Sequence, residues 1–305
     1  MTVRDITFNA ADGYRLRGTV FLPAQDRVPT SALVINSATG VHRRFYSRLA
    51  SYLSARYGYA VLTYDFRGIA ESRPHNLRSF TARIRDWPLL DMPAATEWLA
   101  QEIRPRRLFV LGHSAGGNLI GLMPNLAVVD GVILIAAQLG YWRLWPRSIR
   151  YLLAANWYLA IPVLSRIFGY VPAWLGAGQH WPGRIARELA RWCRHPEYLF
   201  GDPSLDRTGY ERYAGQILSL TFEDDPHATC AANDSLLARF SNASVTRWHV
   251  SPHDVGVPKI GHFGFFRPFC EPLWEQCAMW LADDQQPTTS ADFLDPPRLG
   301  EAHHG

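Results

Sequence analysis

The segment Leu108-Phe-Val-Leu-Gly-His-Ser-Ala-Gly116 decides the fold of this protein, because it joins a buried strand to a helix through a sharp turn. Its apolar run 108–111 is typical of a strand inside a parallel sheet. The following residues 112–116 fit the pattern Gly-x-Ser-x-Gly, in which a serine stands on a tight strand-to-helix turn. Side chains two positions before or after the serine would collide with the backbone of such a turn, and both positions are glycine. Ser114 is therefore predicted to be a catalytic nucleophile.

Short apolar runs similar to 108–111 recur along the chain and alternate with segments of helical periodicity. Such runs are typical of buried parallel strands, and the helical segments supply the crossovers that parallel strands require. Residues 3–22 alternate around a turn at 11–13 and predict an antiparallel hairpin at the sheet edge. The pattern predicts an α/β fold with a mostly parallel, doubly wound sheet. We expect its strands at residues 32–36, 60–64, 107–111, 131–136, 217–222 and 244–250, and its helices at 44–56, 86–103 and 115–125.

The alternation is interrupted between residues 140 and 210, where six of the eleven tryptophans lie. Amphipathic segments at 149–159 and 184–193 predict a small helical cap, inserted into a core made of residues 1–139 and 211–282. Alternatively, these tryptophans only fill the core of an ordinary helical subdomain. Residues 283–305 are polar and rich in proline, and we expect this tail to be disordered.

Charge and cysteine content exclude several classes of partner. The net charge of +4 is carried by scattered arginines, Lys259 being the single lysine, and no basic stretch with interleaved aromatics indicates nucleic-acid binding. The four cysteines show no Cys-x-x-Cys spacing, so we expect neither a metal site nor a cofactor. No apolar run approaches the ~20 residues that span a bilayer, and no secretory signal is visible. A cytoplasmic enzyme without a transmembrane segment is expected.

A serine nucleophile needs a histidine and a carboxylate, which follow this kind of serine in the order acid, then histidine. The predicted strand 217–222 leads directly into three carboxylates, Glu223, Asp224 and Asp225. We favour Asp225 as the acid because it heads an Asp-Pro turn at the carboxyl end of the strand. Asp224 is the second choice, and a carboxylate that is not catalytic would cap the helix that follows.

The histidine must come from the region after the last predicted strand. His262 is favoured because Gly261 and Gly264 allow a tight loop, and because the phenylalanines that follow could shield the imidazole. His249 falls inside a predicted strand and His253 on a polar loop, so we interpret both as structural or solvated.

An oxyanion needs two backbone donors, whose side chains are not prescribed. The amide of Ala115 begins the helix after the nucleophile and benefits from the helix dipole. The second donor is expected on the loop after strand 32–36, where small residues leave the amides accessible. Ala38 is the first choice there and Thr39 the next.

These segments together resemble the α/β-hydrolase superfamily and, within it, bacterial serine hydrolases of the serine aminopeptidase-like and monoacylglycerol-lipase-like branch. The resemblance covers residues 3–281. Relatives usually carry His-Gly where this chain has Asn36-Ser37, and Gly-x-Gly-x-Ser where it has Ala70, so the shape of the oxyanion loop departs from the pattern. The resemblance is carried by residues 35–40, 64–72, 86–87 with Asp91, the Ser114 turn, 189–193 and 261–266.

The predicted reaction is hydrolysis of a carboxylic ester through an acyl-enzyme. In it Ser114 attacks, His262 carries the proton and Asp225 orients the imidazole. The aromatic insertion favours a small-molecule substrate with an apolar acyl or alcohol group. An amidase, an aminopeptidase or an acyltransferase would use the same residues, but the insertion has no acidic cluster to bind an α-amino group. A non-catalytic binding protein of this fold is expected to lack a member of the triad, and all three are present.

Overall fold

The computed structural model describes residues 1–24, 29–175 and 179–283 of the 305-residue chain. The tail that we predicted to be disordered lies outside the described residues from position 284 onward. Ten strands are formed in this part of the chain: β1 Thr2–Asn9, β2 Arg15–Leu22, β3 Ser31–Asn36, β4 Ala60–Asp65, β5 Arg107–His113, β6 Gly131–Ile135, β7 Tyr170–Val171, β8 Trp181–Pro182, β9 Gln216–Phe222 and β10 Ser244–Val250.

Eight of these strands form one sheet in the order β1-β2-β4-β3-β5-β6-β9-β10. The hairpin β1–β2 and the pair β2–β4 are antiparallel, and every other pair in this sheet is parallel. The predicted mostly parallel sheet with an antiparallel N-terminal hairpin is therefore confirmed. The strand order reverses between β3 and β5, and ligands of open α/β sheets bind at such a reversal, at the carboxyl ends of the strands.

Helices cover both faces of the sheet, which makes it doubly wound. On one face α2 packs with Trp87, which stacks on Phe66 at 4.5 Å between ring centroids. On the other face α1 and α9 enclose a second core around Trp274. The described helices are α1 Ser47–Tyr57, α2 Met92–Ile103, α3 Ala115–Asn118, α4 Arg147–Ala155, α5 Ile161–Ile167, α6 Gly183–Arg194, α7 Thr208–Arg212, α8 Cys230–Leu237 and α9 Glu271–Ala282.

The helix after the Ser114 turn differs from the prediction of a helix over 115–125. Helix α3 ends at Asn118, and the chain continues in short 3-10 turns. Two contacts of Tyr210 account for the early end of α3. Its hydroxyl donates to the Asn118 carbonyl, and its ring packs against Gly121, where a side chain would clash with it. The Asn118 carbonyl therefore accepts from a side chain instead of from a backbone amide of the next helical turn.

The stretch between β6 and β9, called here the inserted segment (residues 140–210), leaves the strand-helix alternation. After a 3-10 turn, Trp142–Leu144, it forms a continuous helix over 147–167, in which a π turn, Asn156–Ala160, joins α4 to α5. The short antiparallel pair β7–β8 and helix α6 follow. Across the described residues, no helix combines the length and the apolar character needed to cross a membrane.

Candidate active site

Ser114 stands on a strained turn directly after β5. Its backbone has φ 51° and ψ −120°, a conformation that is rare for a residue with a side chain, and its amide donates to the Ile135 carbonyl at 2.9 Å. A Cβ at Gly116 would overlap the carbonyl oxygens of Asn36 and Ser37, and one at Gly112 would overlap the backbone of Gly117. The flanking glycines are therefore required by close backbone approach, as the sequence pattern predicts.

A histidine–aspartate pair lies at the same edge of the sheet. His262 Nδ1 is 2.7 Å from Asp225 Oδ2, and the Asp225 side chain is buried. The other carboxylate oxygen, Oδ1, accepts the His227 amide at 2.8 Å. Burial opposes ionisation of Asp225, but the hydrogen bond from His262 and the neighbouring backbone amides outweigh it and keep the pKa of the carboxyl below its usual value.

Asp224, the second choice for the acid, points to a different partner. Its two carboxylate oxygens accept the backbone amides of Ile260 at 2.9 Å and Gly261 at 2.8 Å. These amides belong to the loop that leads into His262. Asp224 thus holds the loop, while Asp225 contacts the imidazole itself.

The two other candidate histidines lie elsewhere. His249 is on β10, the edge strand, where its Nδ1 lies 3.0 Å from the Thr221 hydroxyl and 3.2 Å from the Cys230 thiol. His253 is exposed in a 3-10 turn, Pro252–Val255. Neither is placed beside Asp225.

His113, the residue before Ser114, connects the serine turn to the loop that carries His262. Its Nε2 lies 2.9 Å from the His262 carbonyl oxygen, which can only accept, so this nitrogen carries the proton. Nδ1 therefore accepts from the Tyr46 hydroxyl at 3.0 Å. Burial, followed by the nearby His262, lowers the pKa of His113 to about 3, so the ring is neutral at physiological pH.

The Tyr46 hydroxyl also contacts one of the predicted oxyanion donors. The Ala38 amide donates to this hydroxyl at 2.8 Å, so our first-choice donor on the loop after β3 is already bonded. Among the described residues nothing accepts from the Thr39 amide, which makes Thr39 the better candidate. Ala115 is the first residue of α3, so its amide has no partner within the helix.

Ser114 and His262 are brought to the same edge without a direct hydrogen bond between their side chains in the described structure. Their link runs through the backbone: His113 precedes the serine and binds the His262 carbonyl. The rings of His113 and His262 lie 5.2 Å apart between centroids. Catalytic hydrogen bonds in ligand-free enzymes are commonly long and tighten only with substrate.

Three loops of this edge contact the inserted segment. The Trp145 indole donates to the His227 carbonyl at 2.6 Å, next to Asp225. Trp181 packs against Gly40 after β3, where a Cβ would overlap its indole nitrogen. The Ala70 amide after β4 donates to Gln179 Oε1 at 3.2 Å. The inserted segment therefore lies over the carboxyl edge of the sheet.

Several residues of this site were missed from the sequence. The His227 ring lies 5.2 Å from that of His262, and burial together with His262 lowers its pKa. Its position directly after Asp225-Pro226 was the available signal. Tyr46 and His113 are 67 positions apart, and nothing local in the sequence indicates their contact.

Buried ion pairs hold the loops after β3 and β4. Arg43 binds Asp65 at 2.5 Å and Glu71 at 2.8 Å, although its own side chain is only 1% exposed. Arg67 donates to Asp91 from both its backbone and its side chain. Within the described ranges no group of three or more histidine, cysteine or acidic side chains is placed to hold a metal ion.

The comparison with protein families agrees with this fold. A model of the "Alpha/beta hydrolase family" matches residues 32–271, about four fifths of the chain. The protein therefore belongs to the alpha/beta hydrolase family, as the sequence motifs predicted; the narrower branch stays a prediction. No curated protein matches the chain.

Solved structures with the same fold include several esterases. A Pyrococcus furiosus esterase has a TM-score of 0.60 at 15% identity, covering 92% of this chain and 91% of its own. Est1E from Butyrivibrio proteoclasticus, with ferulic acid bound, has a TM-score of 0.59 at 14% identity, covering 91% and 98%. A putative non-heme bromoperoxidase from Mycobacterium tuberculosis has a TM-score of 0.57 at 16% identity, covering 88% and 95%. At these identities the similarity concerns the fold.

Proposed function

We propose that this protein is a serine hydrolase that cleaves a carboxylic ester of a small molecule through an acyl-enzyme. The observation that carries the proposal is the His262–Asp225 pair, held at 2.7 Å and tied through His113 to the strained turn of Ser114. A positive-φ serine directly after a central strand, with a buried acid–histidine pair at the same sheet edge, is the arrangement that activates a hydroxyl for acyl transfer.

In the proposed mechanism Ser114 Oγ attacks the ester carbonyl while His262 Nε2 accepts its proton. The imidazolium then gives that proton to the departing alcohol. Asp225 accepts from His262 Nδ1, which leaves Nε2 as the basic nitrogen and stabilises the imidazolium. Water then repeats the sequence on the acyl-enzyme and releases the acid.

The oxyanion would be held by backbone amides on both sides of the serine. Ala115 supplies the first, at the positive end of α3. For the second we now favour Thr39, because the Ala38 amide is bonded to Tyr46. Ala38 could serve only if the reacting oxygen displaced the Tyr46 hydroxyl from the Ala38 amide, or shared that amide with it.

We further propose that residues 140–210 act as a cap that selects an apolar acyl or alcohol group. Support comes from its contacts with the loops after β3, β4 and β9 and from the aromatic side chains that it brings there, Trp145 and Trp181. The absence of an acidic cluster in its sequence disfavours an aminopeptidase.

The chemistry is tested by labelling the full chain with a fluorophosphonate, which reacts with activated serines. Native protein should be labelled, while Ser114→Ala and His262→Ala should not. Ser204→Ala, which alters a serine of the inserted segment, serves as a control and should label like the native chain. Equal labelling of native protein and Ser114→Ala would refute the proposed nucleophile.

The substrate class is tested with p-nitrophenyl esters of increasing acyl length beside aminoacyl anilides. We expect turnover of the esters and kcat/KM that rises with acyl length while the chain still fits the cap. Turnover of anilides alone would show that the amine, rather than the ester, is the group recognised.

A further inference from the structure

The outer side of the inserted segment exposes an apolar stripe along one helix. Leu152 is 74% exposed, Leu159 64% and Ile167 61%. With Ala155 and Val163, which are also exposed, these residues recur every three or four positions along the continuous helix 147–167. This apolar stripe is about 22 Å long and has no partner in the described chain. Contiguous exposed apolar surface of this kind marks an interaction site.

A concentration of arginines borders the stripe and lines a groove of about 570 Å³ between the helix 147–167 and α6. Four of them recur on one face of α6 at positions 184, 187, 191 and 194, and the groove contains only one carboxylate, Glu188. This arginine face consists of Arg83, Arg166, Arg184, Arg187, Arg191 and Arg194.

The positive charge of the arginine face is largely uncompensated. In the described part of the chain Arg191 is the one member that forms ion pairs, with Glu188 and Asp202. Glu188 is in turn bound by Arg85 at 2.6 Å. Burial, followed by the repulsion of Arg166 and Arg184, lowers the pKa of Arg187, in keeping with the six arginines and single carboxylate that line the groove. Such a surface favours an anionic partner.

The two features form one surface. The Arg194 guanidinium lies 5.3 Å from the ring centroid of Tyr158, whose neighbour Leu159 is in the stripe. Arg187 donates to the Ser165 carbonyl at 3.1 Å, two residues before Ile167. Exposed aliphatic side chains on one helix, flanked by guanidinium groups, are the pattern of helices that lie flat in a membrane interface.

We propose that the inserted segment docks the protein on a bilayer containing anionic phospholipids. The apolar stripe would enter the acyl boundary while the arginine face binds headgroup phosphates. A second copy of the chain fits less well, because a two-fold dimer through this face would bring the two arginine faces together. The inference concerns binding alone, so it stands or falls independently of the proposed hydrolase activity.

The test is co-sedimentation of the Ser114→Ala chain with sucrose-loaded vesicles, in which no substrate can be turned over by Ser114. Vesicles of phosphatidylcholine are compared with vesicles containing about 30% phosphatidylglycerol, at about 0.1 M salt. We expect the partition coefficient to be at least ~100-fold higher on the anionic vesicles and to fall as salt is raised.

Two sets of substitutions at exposed sites separate the contribution of the arginine face to vesicle binding from that of the apolar stripe. Replacing Arg83, Arg166 and Arg184 together by Gln should reduce anionic-vesicle binding on the order of 100-fold. Leu159→Asp with Ile167→Asp should reduce it at least ~10-fold. The matched controls are Gln at the exposed Arg48, Arg56 and Arg106, and Val128→Asp with Met279→Asp; both should bind like the parent chain.

The proposal fails if the parent chain does not bind anionic vesicles, or if the control sets reduce binding as much as the test sets. It also fails if sedimentation velocity shows a dimer that Leu159→Asp with Ile167→Asp converts to monomer, since the stripe would then be a subunit interface. Circular dichroism of every variant must give the melting temperature of the parent within a few degrees, as expected for exposed substitutions.

Discussion

The carboxyl edge of the sheet and the outer helix of the inserted segment differ in how far neighbouring groups fix the positions of their side chains. At the edge, Ser114, His113 and His262 are held by close backbone approach and by buried hydrogen bonds. The outer helix of the inserted segment instead presents unpartnered apolar side chains and arginines to solvent. The first region holds the proposed reacting groups in one arrangement, and the second carries the surface that we propose meets a partner outside the chain.

The inserted segment shares one apolar core with the α2 face of the sheet, and its hydrogen bond nearest to Asp225 is the one from Trp145 to the His227 carbonyl. Substitutions of the edge residues should reduce turnover or stability strongly whatever the substrate. Conservative substitutions of the inserted-segment side chains that reach the edge should act weakly and selectively. This difference between the two regions can be tested by substitutions, beginning with the one of largest expected effect.

The sharpest contrast within the edge is between two adjacent carboxylates. Asp225→Asn should lower kcat by about 10⁴-fold, because the amide cannot stabilise the imidazolium and favours the wrong histidine tautomer. Asp224→Asn should cost only about tenfold, since the loss there is one of two bonds to the backbone of the His262 loop. Ester turnover by both variants is the measurement, and a larger loss for Asp224→Asn would exchange their roles.

The loss of stability caused by backbone crowding at the Ser114 turn can be separated from the loss caused by replacing a glycine of positive φ. Gly116→Ala should lower the free energy of unfolding by about 3–5 kcal/mol, because the new Cβ meets two backbone oxygens that cannot move away. Gly13→Ala is the control: its φ is +80° but no atom lies within 4 Å of the added Cβ, so about 1 kcal/mol is expected. Urea unfolding measures both, and equal losses would contradict the crowding.

His113 predicts a pH dependence of stability. Its pKa is about 3 in the fold and about 6.5 in the unfolded chain, so between these values the unfolded chain binds a proton that the folded chain does not. Stability should therefore fall as pH falls below 6.5, by up to about 1.4 kcal/mol per pH unit. In His113→Gln the side-chain amide can keep both hydrogen bonds without titrating. The stability of this variant should therefore fall less steeply with decreasing pH.

The check is the urea-unfolding free energy of the native chain and His113→Gln at several values between pH 7.5 and about 5. His253→Gln, at an exposed histidine, is the control and should keep the native slope. A residual slope in His113→Gln is expected from His227, whose pKa is also lowered. Identical slopes for His113→Gln and the native chain would mean that His113 is protonated in the fold.

The smallest effect is expected at the junction with the inserted segment. Trp145→Phe removes the donor to the His227 carbonyl and should cost about 1 kcal/mol of stability. It should shift the ratio of kcat/KM between long and short acyl esters by a few-fold, with the shortest ester almost unchanged. Trp174→Phe, at an indole that is 75% exposed, should change neither quantity. A general loss on all esters would place Trp145 in the catalytic edge instead.

The sequence predicted the sheet because its strands carry local signals. The predicted strand 244–250 coincides with β10, and 217–222 differs from β9 by one residue. The early end of α3 could not be predicted, since Tyr210 lies 92 positions from Asn118 and outcompetes the next helical turn for its carbonyl. The hydrogen bond from the Ala38 amide could not be predicted for the same reason, because its acceptor, the Tyr46 hydroxyl, becomes a neighbour only in the folded chain. Local periodicity carries no information about such partners.

The hydrogen bond from His113 to the His262 carbonyl joins the proposed nucleophile and its proposed base through a single side chain. This bond joins the loop of His262 directly to the turn of Ser114. The side chains that the inserted segment brings to the edge, such as Trp181 against Gly40, are not part of that bond. Evolution could therefore change which substrates are admitted while the distance over which the proton travels stays the same.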